Sequence, residues 1–128
     1  MMQLRIAGTV ENSIVDGEGI RYTIFVQGCP HGCPGCHNPQ THDFQGGKLV
    51  DAAVLLKEIA SDPLLDGVTF SGGEPFCQAA ALAELGKQVH DLGLNLVTYT
   101  GYTLEQLLTD GREDWMALLN ETDILIDG

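Results

Sequence analysis

Apolar, β-rich runs followed by helical patterns recur along the whole chain, and this alternation constrains the fold more than any other feature of the sequence. "LRIAGTV" (4–10) and "RYTIFVQG" (21–28) read as strands, and "VDAAVLLKEIASD" (50–62) carries apolar residues at helical spacing. "GVTFSGG" (67–73) is a short strand ending in glycines, and the helical "QAAALAELGKQVHDLG" (78–93) leads into the strand "LNLVTYTG" (94–101). "TLEQLLTDG" and "REDWMALLN" then read as two short helices before a last strand in "TDILIDG" (122–128). Strand followed by helix, repeated, is the signature of parallel βαβ construction. At 128 residues the chain is long enough for one core, so the expectation is a single α/β domain over 1–128. Its architecture is expected to be an incomplete (β/α) barrel of parallel strands with flanking helices, smaller than the eight-unit form. Right-handed crossovers place all strand C-termini on one edge, where such folds bind ligands. Three loops that follow strands are therefore expected to converge there: the one after 21–28, "SGGEP" after 67–70, and "TGY" after 94–99.

The first of these loops, "GCPHGCPGCHNP" (28–39), places Cys29, Cys33 and Cys36 within eight positions and supplies no fourth cysteine at similar spacing. The N-terminus lacks the basic start, apolar stretch and cleavage site of a signal peptide, so a cytoplasmic location and reduced thiols are expected. Metal binding is then a better reading than disulfides. Three forms of it compete. Structural zinc can take Cys together with His31, His37 or His42, although its usual sites pair two separated knuckles, whereas all three thiols here sit in one loop with Pro30, Gly32, Pro34 and Gly35. An electron-transfer iron–sulfur cluster normally takes four cysteines, and Cys77, just after "SGGEP", is the other candidate. A cluster held by three cysteines leaves one iron open to a small molecule, and an open coordination site is how a metal centre does chemistry.

In "FSGGEP" (70–75) two glycines at a strand end let backbone approach a ligand, and Glu74 adds an acceptor for a cationic group. The plainer reading is a βα turn in which Pro75 begins a helix. Taken with the cysteine loop, the two segments suit one ligand that carries an ammonium, a carboxylate and a sulfonium. "VTYTGY" (97–102) offers Thr98, Tyr99 or Thr100 hydroxyls to a ribose or adenine; as β-formers they equally suit a core. In "DGEGIR", Asp16, Glu18 and Arg21 read as a turn with one solvated ion pair. His90 and Trp115 fall in helical patterns and read as packing or surface residues.

Charge narrows the partners. The net charge is −12, of which residues 65–128 carry −9 and residues 1–64 carry −3. A phosphate backbone would be repelled, and no basic stripe exists to release counterions, so nucleic acid is not an expected partner. No apolar run approaches the ~18 residues a membrane helix needs.

Read in order, "DGEGIR", "FVQGC", Cys-x3-Cys-x2-Cys-His-Asn-Pro and "SGGEP" resemble the radical S-adenosylmethionine enzymes that activate glycyl radical enzymes. Within that family, "CPGCHNPQTHDFQGG", "TYTGYTLEQLL" and "DILIDG" are most similar to the members that serve anaerobic ribonucleoside-triphosphate reductase. The resemblance implies that Cys29, Cys33 and Cys36 ligate a [4Fe–4S] cluster and that S-adenosylmethionine chelates the fourth iron. It places Gly35, Cys36, His37, Gly72, Gly73 and Glu74 at that cofactor, with Thr100 a further candidate contact. It implies reductive cleavage of the sulfonium and transfer of a hydrogen atom from a backbone glycine of the reductase, with flavodoxin or ferredoxin as electron donor. Reductive cleavage demands a low-potential donor; iron–sulfur clusters reach down to about −700 mV, whereas zinc has no redox chemistry. The alternatives are an activase for another glycyl radical enzyme of the pyruvate formate-lyase type, and a non-catalytic zinc or iron–sulfur protein. Two departures stand out: Glu18 occupies a position where many family members carry proline, and members continue beyond the Asp-Gly that here is Asp127-Gly128, which implies a chain cut short at its C-terminus.

Overall fold

A computed structural model describes residues 3–13, 19–30 and 43–128. Six strands form one sheet: β1 (Gln3–Ser13), β2 (Arg21–Val26), β3 (Lys48–Asp51), β4 (Gly67–Gly72), β5 (Asn95–Tyr99) and β6 (Ile124–Ile126). Helix α1 (Ala52–Ala60) follows β3, α2 (Ala79–Asp91) follows β4 after a 3₁₀ turn at Pro75–Gln78, and α3 (Leu104–Asp110) and α4 (Glu113–Glu121) separate β5 from β6. The strand order is β3-β1-β2-β4-β5-β6. The βαβ expectation holds for β2, β4, β5 and β6, which are parallel.

Two elements depart from it. β1 pairs antiparallel with both β2 and β3, because residues 14–20 are too few for the crossover of a dozen or more that a parallel neighbour needs. β3 is a four-residue edge strand where the sequence shows only the start of a helix, and its last residue, Asp51, caps α1 by accepting from the Ala53 amide. Among the described residues the sheet is therefore mixed, with a parallel part at its centre and far edge, and it does not close on itself.

Strand alternation divides the sheet into two faces. Tyr22, Val68 and Leu96 are register partners, as are Ile24, Phe70 and Thr98. These rows join Leu4, Ile6 and the helical Leu55, Ile59, Leu82, Leu85 and Val89 in one buried cluster. Burying this face supplies the main stabilisation, at roughly 25 cal/mol per Å² of apolar surface. On the opposite face lie the rows Arg21–Gly67–Asn95 and Thr23–Thr69–Val97.

Arg21 is the unexpected member of that second face. The sequence reading made it part of a solvated ion pair; it is in fact 1% exposed. Its Nε donates to Thr69 Oγ1 at 2.7 Å, and Nη2 donates to the carbonyls of Val68 at 2.7 Å and Asn95 at 3.4 Å. Gly67 leaves the room for it, since a Cβ there would stand 2.5 Å from Nη2. Burial lowers the guanidinium pKa, against the raising influence of Asp66, Tyr99 and Asp123. Arg21 thus bolts β2 to β4 and β5 at the N-terminal ends of the parallel strands.

At the far edge His90, near the end of α2, bridges two acids: Nδ1 lies 3.0 Å from Glu121 Oε1 and Nε2 2.9 Å from Asp123 Oδ2. Asp123 Oδ2 also accepts the Leu96 amide at 2.8 Å. The Asp123 hydrogen bond is the main cause that raises the His90 pKa above 6.5, with burial opposing it and Glu121 adding to it. Burial works against the shift at Asp123, but hydrogen bonds from His90 and Leu96 hold it below 3.8. The raised histidine contributes stability that is complete below 6.5 and is lost as pH rises through its folded value; the depressed aspartate contributes above 3.8 and loses its share as pH falls through its folded value. The stability difference between wild type and His90→Ala is therefore expected to peak between pH 3.8 and 6.5 and to shrink by pH 9. It should be about 1 kcal/mol or less, because these groups are partly solvated. Urea melts at a series of pH values measure it; a difference that grows with pH would contradict the assignment.

Candidate active site

The described parts of the three loops expected to converge come together, and hydrogen bonds show how. Gly73 N donates to Val26 O and Glu74 N donates to Gly28 O, both at 2.8 Å, so the end of β4 is laced to the start of the cysteine loop. The glycines serve this close approach directly. A Cβ on Gly72, whose φ is +94°, would stand 2.7 Å from Val26 N and O, and one on Gly73 would collide with the Gly28 carbonyl. Their immediate neighbour is thus the chain's own backbone. Gly28, at φ +106°, turns the chain sharply into Cys29, and the Phe44 ring packs where its side chain would be.

Cys29 is a half-buried cysteine at this rim. Gly35, Cys33, Cys36 and His37 lie outside the described residues, as do His31, His42, Asp16 and Glu18. The segment after the loop is stapled back: Gln27 Nε2 donates to Asp43 O at 2.7 Å, and Arg5 Nη1 to Gly46 O at 3.1 Å. Gln78 completes the staple, taking the Arg5 amide on Oε1 at 2.8 Å and donating Nε2 to Arg5 O at 2.8 Å and to Gln27 O at 3.2 Å. Sequence reasoning missed both glutamines; the available signal was a polar residue at each end of the two loops that needed closing. Cys77 sits beside Gln78, and its thiol is raised to about 11, first by burial around the sulfur and then by the charges of Glu74 and Cys29.

Glu74 is 0% exposed. Its Oε2 accepts from Thr100 Oγ1 at 2.7 Å and from the Phe76 amide at 3.0 Å, and Oε1 accepts from the Gly101 amide at 2.8 Å. The carboxylate read from sequence as a ligand acceptor therefore joins the β4 loop to the β5 loop. Thr100, 8% exposed, spends its hydroxyl on Glu74 and accepts the Tyr102 amide at 3.1 Å. Thr98 is buried in the core row. The end of β6 closes the same rim: Thr100 N donates to Ile126 O at 3.0 Å, and Asp127 Oδ2 accepts from Leu104 N at the start of α3. Arg21 stands at the opposite ends of these strands, about five residues or ~16 Å away, and takes no part in the rim.

The donor set suits iron–sulfur ligation. A thiol just beyond a strand end begins a stretch of sequence with two more thiols four and seven positions on. Thiolates in one short loop are the ligand class of such clusters.

Comparison with known proteins gives a consistent picture. The 4Fe-4S single cluster domain family matches residues 15–128. The pyruvate formate-lyase-activating enzyme of Clostridium pasteurianum is 36% identical over 98% of the chain, which spans about half (52%) of that protein's length. The anaerobic ribonucleoside-triphosphate reductase-activating protein of Pasteurella multocida is 37% identical, with 90% of this chain and 77% of that protein covered. In fold, the chain is similar to a crystal structure of QueE from Escherichia coli, with a TM-score of 0.67, 21% identity, and coverage of 80% of this chain and 55% of that one.

Proposed function

The chain belongs to the radical S-adenosylmethionine family of glycyl-radical-enzyme activating proteins, whose 4Fe-4S domain it carries, and on that premise we propose that it activates anaerobic ribonucleoside-triphosphate reductase by generating a glycyl radical. The observation that carries the reading is the lacing of the cysteine loop to the Gly72-Gly73-Glu74 loop through Gly73 N–Val26 O and Glu74 N–Gly28 O. This lacing supports reading the thiolate loop and the glycine loop as parts of one site.

In this reading Cys29, Cys33 and Cys36 hold the cluster. Gly35, Cys36 and His37 from the same loop, the Gly72–Glu74 segment, and Thr100 at the end of β5 form the seat of S-adenosylmethionine. When bound, the pair supplies one-electron cleavage of a sulfonium and with it the means to take a hydrogen atom from a glycine. The chain's own part is to hold the seat rigid: Gly28 turns the backbone into Cys29, Gln27, Gln78 and Arg5 fix both flanks of the loop, and Glu74 fixes the opposite wall. Preorganisation of this kind is where a protein scaffold contributes to cofactor chemistry. The electron comes from a low-potential carrier such as flavodoxin or ferredoxin, and the reaction takes place in the reducing cytoplasm. Among the described residues no helix is long and apolar enough to cross a membrane.

Reductase-activating proteins recur among the relatives at 32–37% identity over 90% of the chain, which supports the reductase as partner. The Clostridium pasteurianum relative supports the second reading, an activase for a pyruvate formate-lyase. The test is anaerobic co-incubation of the cluster-loaded protein, S-adenosylmethionine and a reductant with each candidate partner. Electron paramagnetic resonance should show a glycyl radical on the reductase; a radical on the lyase alone would transfer the assignment, and one on neither would remove it.

A further inference from the structure

The Glu74 carboxylate belongs to a closed circuit of contacts. It accepts from Thr100 Oγ1 and the Phe76 amide. Thr100 Oγ1 accepts the Tyr102 amide, the Tyr102 ring lies 4.9 Å from the Trp115 ring at a 42° tilt, and Trp115 Nε1 donates to the Phe76 carbonyl at 2.9 Å. The circuit thus returns to the residue two positions beyond Glu74. It draws on three elements: the β4 loop, the β5 loop and the first turn of α4. A buried charge needs such donors, and hydrogen bonds to an ionised acceptor are the stronger kind.

Resting on the function proposed above, we propose that Glu74 is a positioning residue for the cofactor seat, which sets the Gly72-Gly73 backbone against the β5 loop and bonds to no atom of the cofactor through its side chain. Trp115, outside the seat, is the remote end of the same device. The reason lies in the geometry: donors from Thr100, Phe76 and Gly101 surround both oxygens, in a side chain with no exposed surface. Because no surface of the side chain is open, a grip on the cofactor's ammonium would require the carboxylate to swing out of this buried position.

The two roles separate experimentally. With cluster content normalised, the affinity for S-adenosylmethionine can be followed by the change it causes in the electron paramagnetic resonance signal of the reduced cluster. Glu74→Ala is expected to weaken that affinity about 10- to 100-fold, as for loss of a charged hydrogen-bond set. Glu74→Gln keeps the shape and part of the acceptor set, so it should recover most of the loss. Trp115→Phe keeps an aromatic ring but removes the N–H donor to Phe76 and part of the packing on Tyr102, and should weaken affinity by about fivefold. A second readout needs neither cluster nor cofactor: Trp115 is the sole tryptophan, and its emission should shift to the red in cluster-free Glu74→Ala as the circuit opens. The proposal is overturned if Glu74→Gln is as damaging as Glu74→Ala while Trp115→Phe leaves affinity unchanged, the pattern of a direct ligand. It is equally overturned if the emission of Glu74→Ala matches wild type. A wild-type protein that carried its cluster yet failed to bind S-adenosylmethionine would remove the proposed function while the fluorescence result still stood.

Discussion

Serine at any one of Cys29, Cys33 and Cys36 is expected to abolish reductive cleavage of S-adenosylmethionine and to strip most of the iron and sulfide from the anaerobically reconstituted protein. An alkoxide is a poor substitute for a soft thiolate at iron, and under the proposed three-thiolate ligation the cluster would have no protein ligand to spare. Cys77→Ala is the internal control. Cys77 lies at the same rim, beside Gln78 and within the electrostatic reach of Cys29, so proximity alone makes it a candidate fourth ligand. Under three-thiolate ligation its removal leaves iron content, absorbance and cleavage at wild-type values. In a four-cysteine electron carrier its removal would cost the cluster as surely as loss of Cys29. Zinc in place of iron after anaerobic purification would exclude both outcomes together.

The largest effect on the fold itself is expected at Arg21. Replacing it by methionine keeps much of the aliphatic stem but leaves the Val68 carbonyl and the Thr69 hydroxyl without the guanidinium in a site that is 1% exposed. Hydrogen bonds to a charged group contribute about 1.5–3 kcal/mol each, and the vacated volume adds to their loss. A loss of about 3–5 kcal/mol is therefore expected, a large share of the 5–15 kcal/mol of a typical domain. Gly67→Ala should move stability in the same direction from the other side, since its methyl group would occupy the guanidinium position. Guanidinium chloride melts of the cluster-free protein measure both. A loss below about 1 kcal/mol for Arg21→Met, the range of ordinary surface changes, would show that the buried guanidinium is not the bolt described.

What the sequence could show follows the range of its signals. The strands at 21–28, 67–73 and 94–101 and the helices between them were legible because apolar periodicity is local and strong, and their parallel pairing followed from the helices that connect them. The convergence of the three loops was legible for the same reason. The antiparallel placement of β1 was within reach too, through the shortness of 14–20, but strand periodicity carries no direction. β3 was not legible: "KLVD" shows no alternation and runs straight into α1, and only pairing with Gln3–Ile6 makes it a strand. The burial of Arg21 and of Glu74 escaped the sequence for a common reason. A charged residue beside glycines reads as solvated or ligand-facing, whereas here Gly67 makes room for the guanidinium and the close lacing of Gly73 to the Gly28 backbone carries Glu74 inward to Thr100 and Gly101. Apart from the Phe76 amide, the hydrogen-bond partners of these buried groups lie 26 to 74 positions away, beyond any local pattern.

The central claim is a metal centre that protein thiolates leave one ligand short, so that a sulfonium cofactor can bind iron directly and be cleaved there. Its most direct measurement is product analysis after anaerobic reconstitution with iron and sulfide, reduction, and addition of S-adenosylmethionine. Equal amounts of 5′-deoxyadenosine and methionine are expected from the cluster-loaded protein. A fully loaded, well-folded sample that yields neither would contradict it.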